Sequence, residues 1–213
     1  MTSTRAVAFD PALLRAAYAS AGAAFVGLGG QVSDDSWAKP GLGQWNVRDL
    51  VGHTTRSFVT VTDYLASGAG KPVEHHHAFD YAAVFRTAHA DPAAITERGR
   101  AAGRDLGDRP VDVVTARCDA AMAAVGAHPD DAPVDTPAGV MRLIDYLPSR
   151  VFELVVHTDD LARALDREHD SDVASRTITT TFLAGIVAES DDSSMVVRAL
   201  TGRGNLPEGF TAL

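Results

Sequence analysis

A single cysteine, Cys118, stands among 213 residues. An intramolecular disulfide is therefore excluded, and the chain suits a reducing cytosol. Lysine is almost missing, with Lys39 and Lys71 the only two. Arginine carries nearly all the positive charge, and with abundant Ala, Gly, Asp and Val this bias suits a GC-rich genome. Cations are short overall: 19 Lys and Arg against 28 Asp and Glu leave a net charge of −9. That balance argues against a nucleic-acid surface, which needs clustered basic residues. No uninterrupted run approaches the ~18 apolar residues of a membrane span, and no signal-peptide pattern follows Met1-Thr2-Ser3-Thr4-Arg5. Internal repeats, heptads and low-complexity tracts are missing too. What remains, 46% hydrophobic and 22% charged residues, is the composition of a soluble domain that can bury a core without staples. A soluble cytoplasmic protein is expected.

Helical punctuation is frequent. Asp10-Pro11 opens a helix as N-cap and first-turn proline, and Leu14, Ala17, Tyr18, Ala21 and Phe25 recur at helical steps up to Gly27–Gly30. After a polar loop over 31–43, Asn46 caps a second helix, with Asp49 completing a capping box and Trp45 placed to staple onto Leu50. Gly68 ends it. A loop follows, holding Glu74-His75-His76-His77, adjacent histidines that rarely converge on one ion. A short helix is expected over 80–88, another from Asp91-Pro92 to about Leu106, and a third over 111–125, whose apolar stripe contains Cys118. Residues 128–139 read as a Pro/Asp loop. The next helix is expected to begin near Asp145, because Pro148 is cheap only in a first turn. A further helix covers about 172–189, and 195–203 could form a helical turn or a short strand.

These elements predict an all-α four-helix bundle with additional short helices and a small C-terminal extension. The expected boundaries are residues 8–168 for the bundle and 169–213 for a C-terminal helix and tail packed on it.

Glu153 and His157 lie one turn apart, beside a stripe of Val151, Leu154, Val155, Leu161, Ala162 and Leu165. An exposed Glu–His pair would show the same spacing. His53, from the second helix, supplies a possible third ligand, with Asp49 and Thr54 as possible partners of its ring. Together the three form a His₂Glu set that leaves coordination positions open, as in a catalytic zinc site. Bound zinc would require the two imidazole nitrogens to lie within about 4 Å of one another, each about 2.1 Å from one point. The same face carries Tyr146, Arg150 and Asp160. Arg150 could clamp a substrate carboxylate bidentately, or could simply pair with Glu153 or Asp145.

Trp45-Asn46-Val47-Arg48-Asp49-Leu50-Val51-Gly52-His53, then Tyr146-Leu147, Arg150 and Glu153 through Leu161, resemble the mycothiol-dependent maleylpyruvate isomerase family. That family belongs to the DinB-like metal-binding four-helix bundles. Ala199-Leu200-Thr201-Gly202-Arg203 also resembles the end of its members. The resemblance implies a divalent metal on His53, Glu153 and His157, usually zinc, with nickel possible. It implies mycothiol, the low-molecular-weight thiol of actinobacteria, as cosubstrate in isomerase or S-transferase chemistry. Asp160 matches an acidic position that follows the second histidine in the family and would orient the thiol or the metal-bound water. The isomerase proper has a larger C-terminal domain with a substrate-binding arginine, which this chain is too short to contain in full. Arg198 or Arg203 could stand in for it, Arg203 contacting the cofactor.

Three functions fit the sequence: a metal- and thiol-dependent isomerase or transferase, a metal-dependent hydrolase on the same bundle, and a non-enzymatic metal- or ligand-binding protein. The expected partner is a small molecule, a carboxylate or electrophile, with no nucleic acid or membrane, on a monomer or homodimer.

Overall fold

A computed structural model describes residues 9–81 and 91–212 of the chain. Asp10 accepts the Leu13 N–H at 2.8 Å and opens α1, Pro11–Gly29. The predicted capping box is present at the start of α2, Val47–Gly68. There the Asn46 side chain accepts the Asp49 N–H at 2.9 Å and the Asp49 carboxylate accepts the Asn46 N–H at 3.3 Å. Helices α3 (Pro92–Arg104), α4 (Pro110–Ala127), α5 (Leu143–Ala164), α6 (Val173–Ala188) and α7 (Ser193–Leu200) follow. The fold is all-α except for one small hairpin.

Four helices close a ring. Helix α1 packs between α4 and α5, and α2 lies between the same two on the opposite side. Their shared core holds Tyr18, Phe25, Phe58, Leu50, Leu147 and Leu154, all with no exposure, and Phe58 sits edge-on to Tyr18 and tilted against Phe25. Helix α3 lies on α2, and α6 covers α5 and α1. The crowding of α5 by α1, α2 and α6 explains why it buries Phe152 and Ser149 as well as the expected stripe. Helix α6 is anchored at its start. Asp172 accepts the Ser175 N–H at 3.0 Å and the Ser20 hydroxyl at 2.8 Å, while Ser175 Oγ reaches the Ala17 carbonyl at 3.3 Å.

Several expectations need correction. Residues 128–139 are not only a loop. Pro133–Thr136 (β1) pairs antiparallel with Gly139–Arg142 (β2), turning at Gly139 with φ +113°. The strands are too short for alternation to stand out, and tertiary contact makes them. Val134 and Met141 are fully buried, and β1 runs so close to the end of α2 that a Cβ on Gly68 would lie 2.3 Å from the Pro133 carbonyl oxygen. Helix α5 begins at Leu143, so Pro148 is inside it rather than in its first turn. The earlier start is secured from outside the helix. Leu143 N–H donates to the Ala132 carbonyl at 2.8 Å, Ile144 N–H to that of Asp130 at 3.0 Å, and Asp145 pairs with Arg142 at 2.5 Å. The helix expected over 80–88 falls mostly outside the described residues, with Ala78–Tyr81 forming a 3₁₀ turn at its edge. The 195–203 stretch is helical up to Leu200.

By length and mean hydropathy (1.3), α1 alone among the described helices could cross a membrane, although no long purely apolar run was expected. Alanine together with Leu13, Leu14, Phe25, Val26 and Leu28 makes it apolar, and its inward face packs on α4, α5 and α6.

Candidate metal centre

The two helices that carry the candidate ligands are neighbours in the ring, and their facing sides bring the three side chains together. Glu153 Oε2 lies 3.2 Å from His157 Nε2 and 3.7 Å from His53 Nε2. One ligand atom from each residue can be chosen so that all lie within 4.8 Å of one another. The two edges bracket the ~3.3 Å of a tetrahedron whose arms are about 2.0–2.1 Å long. Among the described residues this is the one such group of three or more His, Cys, Asp or Glu side chains. Side-chain exposures of 22%, 15% and 15% for His53, Glu153 and His157 leave the cluster reachable from solvent.

Each ring is held differently. His157 Nδ1 lies 3.0 Å from Asp160 Oδ2, one turn on. That contact makes Nδ1 the donor and frees Nε2 to face Glu153, the arrangement by which carboxylates fix metal-binding imidazoles. His53 receives no such help. Asp49 is committed to the capping box and Thr54 donates to the Leu50 carbonyl at 2.8 Å, so neither serves as the partner expected from sequence. His53 Nδ1 is buried without a hydrogen bond among the described residues. The ring is positioned by packing, with the Trp45 ring 4.5 Å away at 34°. Trp45 is in turn fixed by its indole N–H, which donates to the Thr96 carbonyl on α3 at 3.0 Å. Two glycines let α3 approach this closely: a Cβ on Gly52 would lie 2.3 Å from the Gly103 nitrogen.

The protonation states divide accordingly. Burial lowers the His53 pKa below the usual histidine value, and the Glu153 carboxylate only partly opposes it. Burial would lower His157 too, but the bond to Asp160 and the adjacent Glu153 carboxylate prevail and raise it to about 9. Burial pushes Glu153 upward, yet the adjacent His157 and His53 rings hold its carboxyl well below the usual range. The cluster therefore offers an ionised carboxylate, a neutral imidazole and a second imidazole that a dication can enter by displacing one proton. Two imidazoles and a carboxylate, with a carboxylate behind one of them, fit a divalent metal such as zinc.

The other candidates lie elsewhere. Arg150 is buried on α5 one turn before Glu153, its guanidinium carbon 4.9 Å from the Tyr146 ring centroid and 5.3 Å from that of Tyr81. The alternative pairing of Arg150 with Asp145 does not occur, since Asp145 binds Arg142. Arg203 is exposed beyond α7, where it donates to the Thr201 carbonyl and accepts from Arg198, and none of these partners belongs to the cluster. His75 runs beside β2 and faces Asp80 at 3.7 Å. Sequence reasoning missed the Trp45 cover and Tyr81. It could have found Thr60 and Tyr64, which lie seven and eleven residues after His53 and so share its helical face. In the structure Thr60 accepts the Tyr146 hydroxyl at 2.8 Å, and Tyr64 lies 5.8 Å from the Tyr146 ring.

Neither a curated protein nor a solved structure matches the chain. The family model of the mycothiol maleylpyruvate isomerase N-terminal domain matches residues 18–162. That span contains α2 and α4 whole, α1 from Tyr18 onward, nearly all of α5, and all three members of the cluster. The resemblance drawn from the two histidine-bearing helices thus extends through the bundle, and the chain belongs to the mycothiol maleylpyruvate isomerase N-terminal domain family.

Proposed function

We propose that this protein is a thiol-dependent isomerase or S-transferase, with mycothiol as cosubstrate and a divalent metal held by His53, Glu153 and His157. The convergence of three ligand atoms from two helices carries this reading, and family membership supports the choice of thiol. Zinc suits the donor set, and the same imidazoles would accept nickel. When bound, the dication would hold a thiol as thiolate at neutral pH, where a free thiol of pKa ~8.5 is mostly protonated. The chain's own residues prepare the site. Glu153 contributes one negative charge, Asp160 positions the His157 ring, and Trp45 shields His53. The second substrate is a small electrophile. A cytoplasmic location agrees with the free, buried Cys118.

Cobalt-loaded protein tests the reading. Mycothiol is expected to shift the visible cobalt absorption and to add a near-ultraviolet sulfur-to-cobalt band. His157→Ala is expected to lose both stoichiometric cobalt and the response while remaining helical by circular dichroism. A fully loaded protein whose spectrum ignores the thiol, and which hydrolyses esters or amides without it, would assign hydrolytic chemistry instead.

A further inference from the structure

The two imidazoles of the cluster are supported unequally. A metal-binding ring that gives its second N–H to a carboxylate is fixed in tautomer and orientation, and Asp160 does this for His157. His53 has no counterpart. With Nε2 turned to Glu153 at 3.7 Å, a metal-binding ring carries its proton on Nδ1, which is buried and has no hydrogen-bond partner among the described residues. Such a ring needs another means of holding its angle, because ligands must be kept within about 0.5 Å of their working positions.

Helix α3 supplies that means, although it carries no ligand. Its Gly99 leaves room for the Trp45 indole: a Cβ there would lie 2.3 Å from Trp45 Cε2 and 2.4 Å from Nε1. The indole therefore lies flush on the α3 backbone, with its N–H given to the Thr96 carbonyl at 3.0 Å. Trp45 is buried, and its ring centroid is 4.5 Å from that of His53 with a tilt of 34°. Helix α3 is itself docked on the first turns of α2, just before His53. Arg48 Nε donates to the Gly103 carbonyl at 2.8 Å, and a Cβ on Gly103 would lie 2.7 Å from Asp49 Oδ1. An indole face also suits the task electronically. An imidazole that donates to a dication becomes electron-poor and its N–H more polar, and an aromatic face favours that form over the free base.

We propose that α3 is the outer support of the metal centre, acting on His53 through Trp45 as Asp160 acts on His157. Trp45 is the positioning residue, Gly99 and Thr96 fix its indole, and metal affinity follows the docking of α3 on α2. This role rests on the three-ligand metal centre proposed above, and on no choice of thiol or substrate.

Full-length wild type, Trp45→Phe, Trp45→Leu and Gly99→Ala, each metal-free and zinc-loaded, provide the test. Competition against a chromophoric chelator reads zinc affinity, and NMR of ¹³C-histidine-labelled protein reads the His53 ring. In wild type the carbon-bound protons of His53 should be shifted upfield by the indole ring current, with or without zinc. Trp45→Leu should abolish that shift and weaken zinc by about tenfold or more, the cost of losing a partner behind a ligand. Trp45→Phe keeps an aromatic face and should restore part of both. Gly99→Ala displaces the indole from the α3 side, so it should move the His53 signals and weaken zinc while leaving every ligand and Trp45 itself in the sequence. If Trp45→Leu does not fold, Trp45→Phe and Gly99→Ala carry the same comparison. A wild-type His53 ring without the upfield shift overturns the role, and so does equal loss of zinc in Trp45→Phe and Trp45→Leu. Zinc taken up by wild type and every variant within about twofold of one affinity overturns the part given to α3 and leaves the metal centre standing. Wild type that takes up no zinc overturns both.

Discussion

Removing Asp160 should weaken metal binding without unfolding the bundle. Its Oδ2 is 3.0 Å from His157 Nδ1, and it is the only carboxylate behind either imidazole among the described residues. Losing such a partner costs about 10–100-fold in metal affinity, or about 1.4–2.7 kcal/mol. Asp160→Ala removes both the charge and the acceptor and should reach the upper part of that range. Asp160→Asn can turn its amide oxygen to Nδ1–H, preserve the tautomer and lose only the charge, so it should fall near the lower end. The adjacent Asp159 is the control. It pairs with Arg163 at 2.7 Å on a more exposed part of the helix, and Asp159→Ala should change affinity by less than about twofold because such surface pairs contribute about 0–1 kcal/mol. Competition for zinc against a chromophoric chelator measures each affinity, and a thermal melt of the metal-free protein checks the fold. Asp160→Ala within twofold of wild type would refute the orienting role. An equal loss in Asp159→Ala would show that net charge, rather than the bond to His157, sets the affinity.

Two further predictions concern the frame around the site. Gly52→Ala puts a Cβ 2.3 Å from the Gly103 nitrogen and 2.4 Å from the Ala102 carbonyl carbon, backbone atoms that cannot rotate away. Helix α3 must retreat, lowering stability by about 1–3 kcal/mol in urea unfolding and shifting the emission of Trp45, whose indole N–H is held by Thr96. An unchanged midpoint and spectrum would show that the contact yields freely. Asp172→Ala removes the α6 cap and should cost about 1 kcal/mol at pH 7. Burial works to raise the Asp172 carboxyl, but hydrogen bonds from Ser175 and Ser20 hold it at about 2, below the ~3.9 of an unfolded chain. A depressed folded value gives stability that is present above about pH 4 and lost as pH falls through 2. The difference between wild type and Asp172→Ala should therefore shrink across that window, and a difference that stays constant in acid would contradict the assignment.

The helices were legible where local chemistry specifies them. Asp10-Pro11, Asn46 with Asp49, and Asp91-Pro92 each satisfy first-turn donors from within a few residues, so their starts can be read directly. The start of α5 could not be read this way, because the acceptors for its first donors are the Ala132 and Asp130 carbonyls, on a loop ten or more residues upstream. The hairpin was illegible for the same reason, since its residues are buried by α2 and not by any pattern of their own. At the site, Glu153 and His157 are visible as a one-turn pair, but the commitment of Asp49 elsewhere and the arrival of Trp45 over His53 depend on packing against α3. Arg150 was open to two readings from sequence, and its burial against the Tyr146 and Tyr81 rings depends on packing that the sequence does not display.

The ligand cluster also has a mechanical side. His53 belongs to α2 and Glu153 and His157 to α5, with α3, α4 and the hairpin between them in the chain. A cation held there would cross-link the first half of the chain to the second across a long intervening loop, much as a disulfide does in a protein that has none. Opening the bundle would first require that clasp to release. Metal loading should then slow global unfolding more than it stiffens any single helix, and α6 and α7, which lie outside the clasped span, should exchange their amides at nearly the same rate with and without metal.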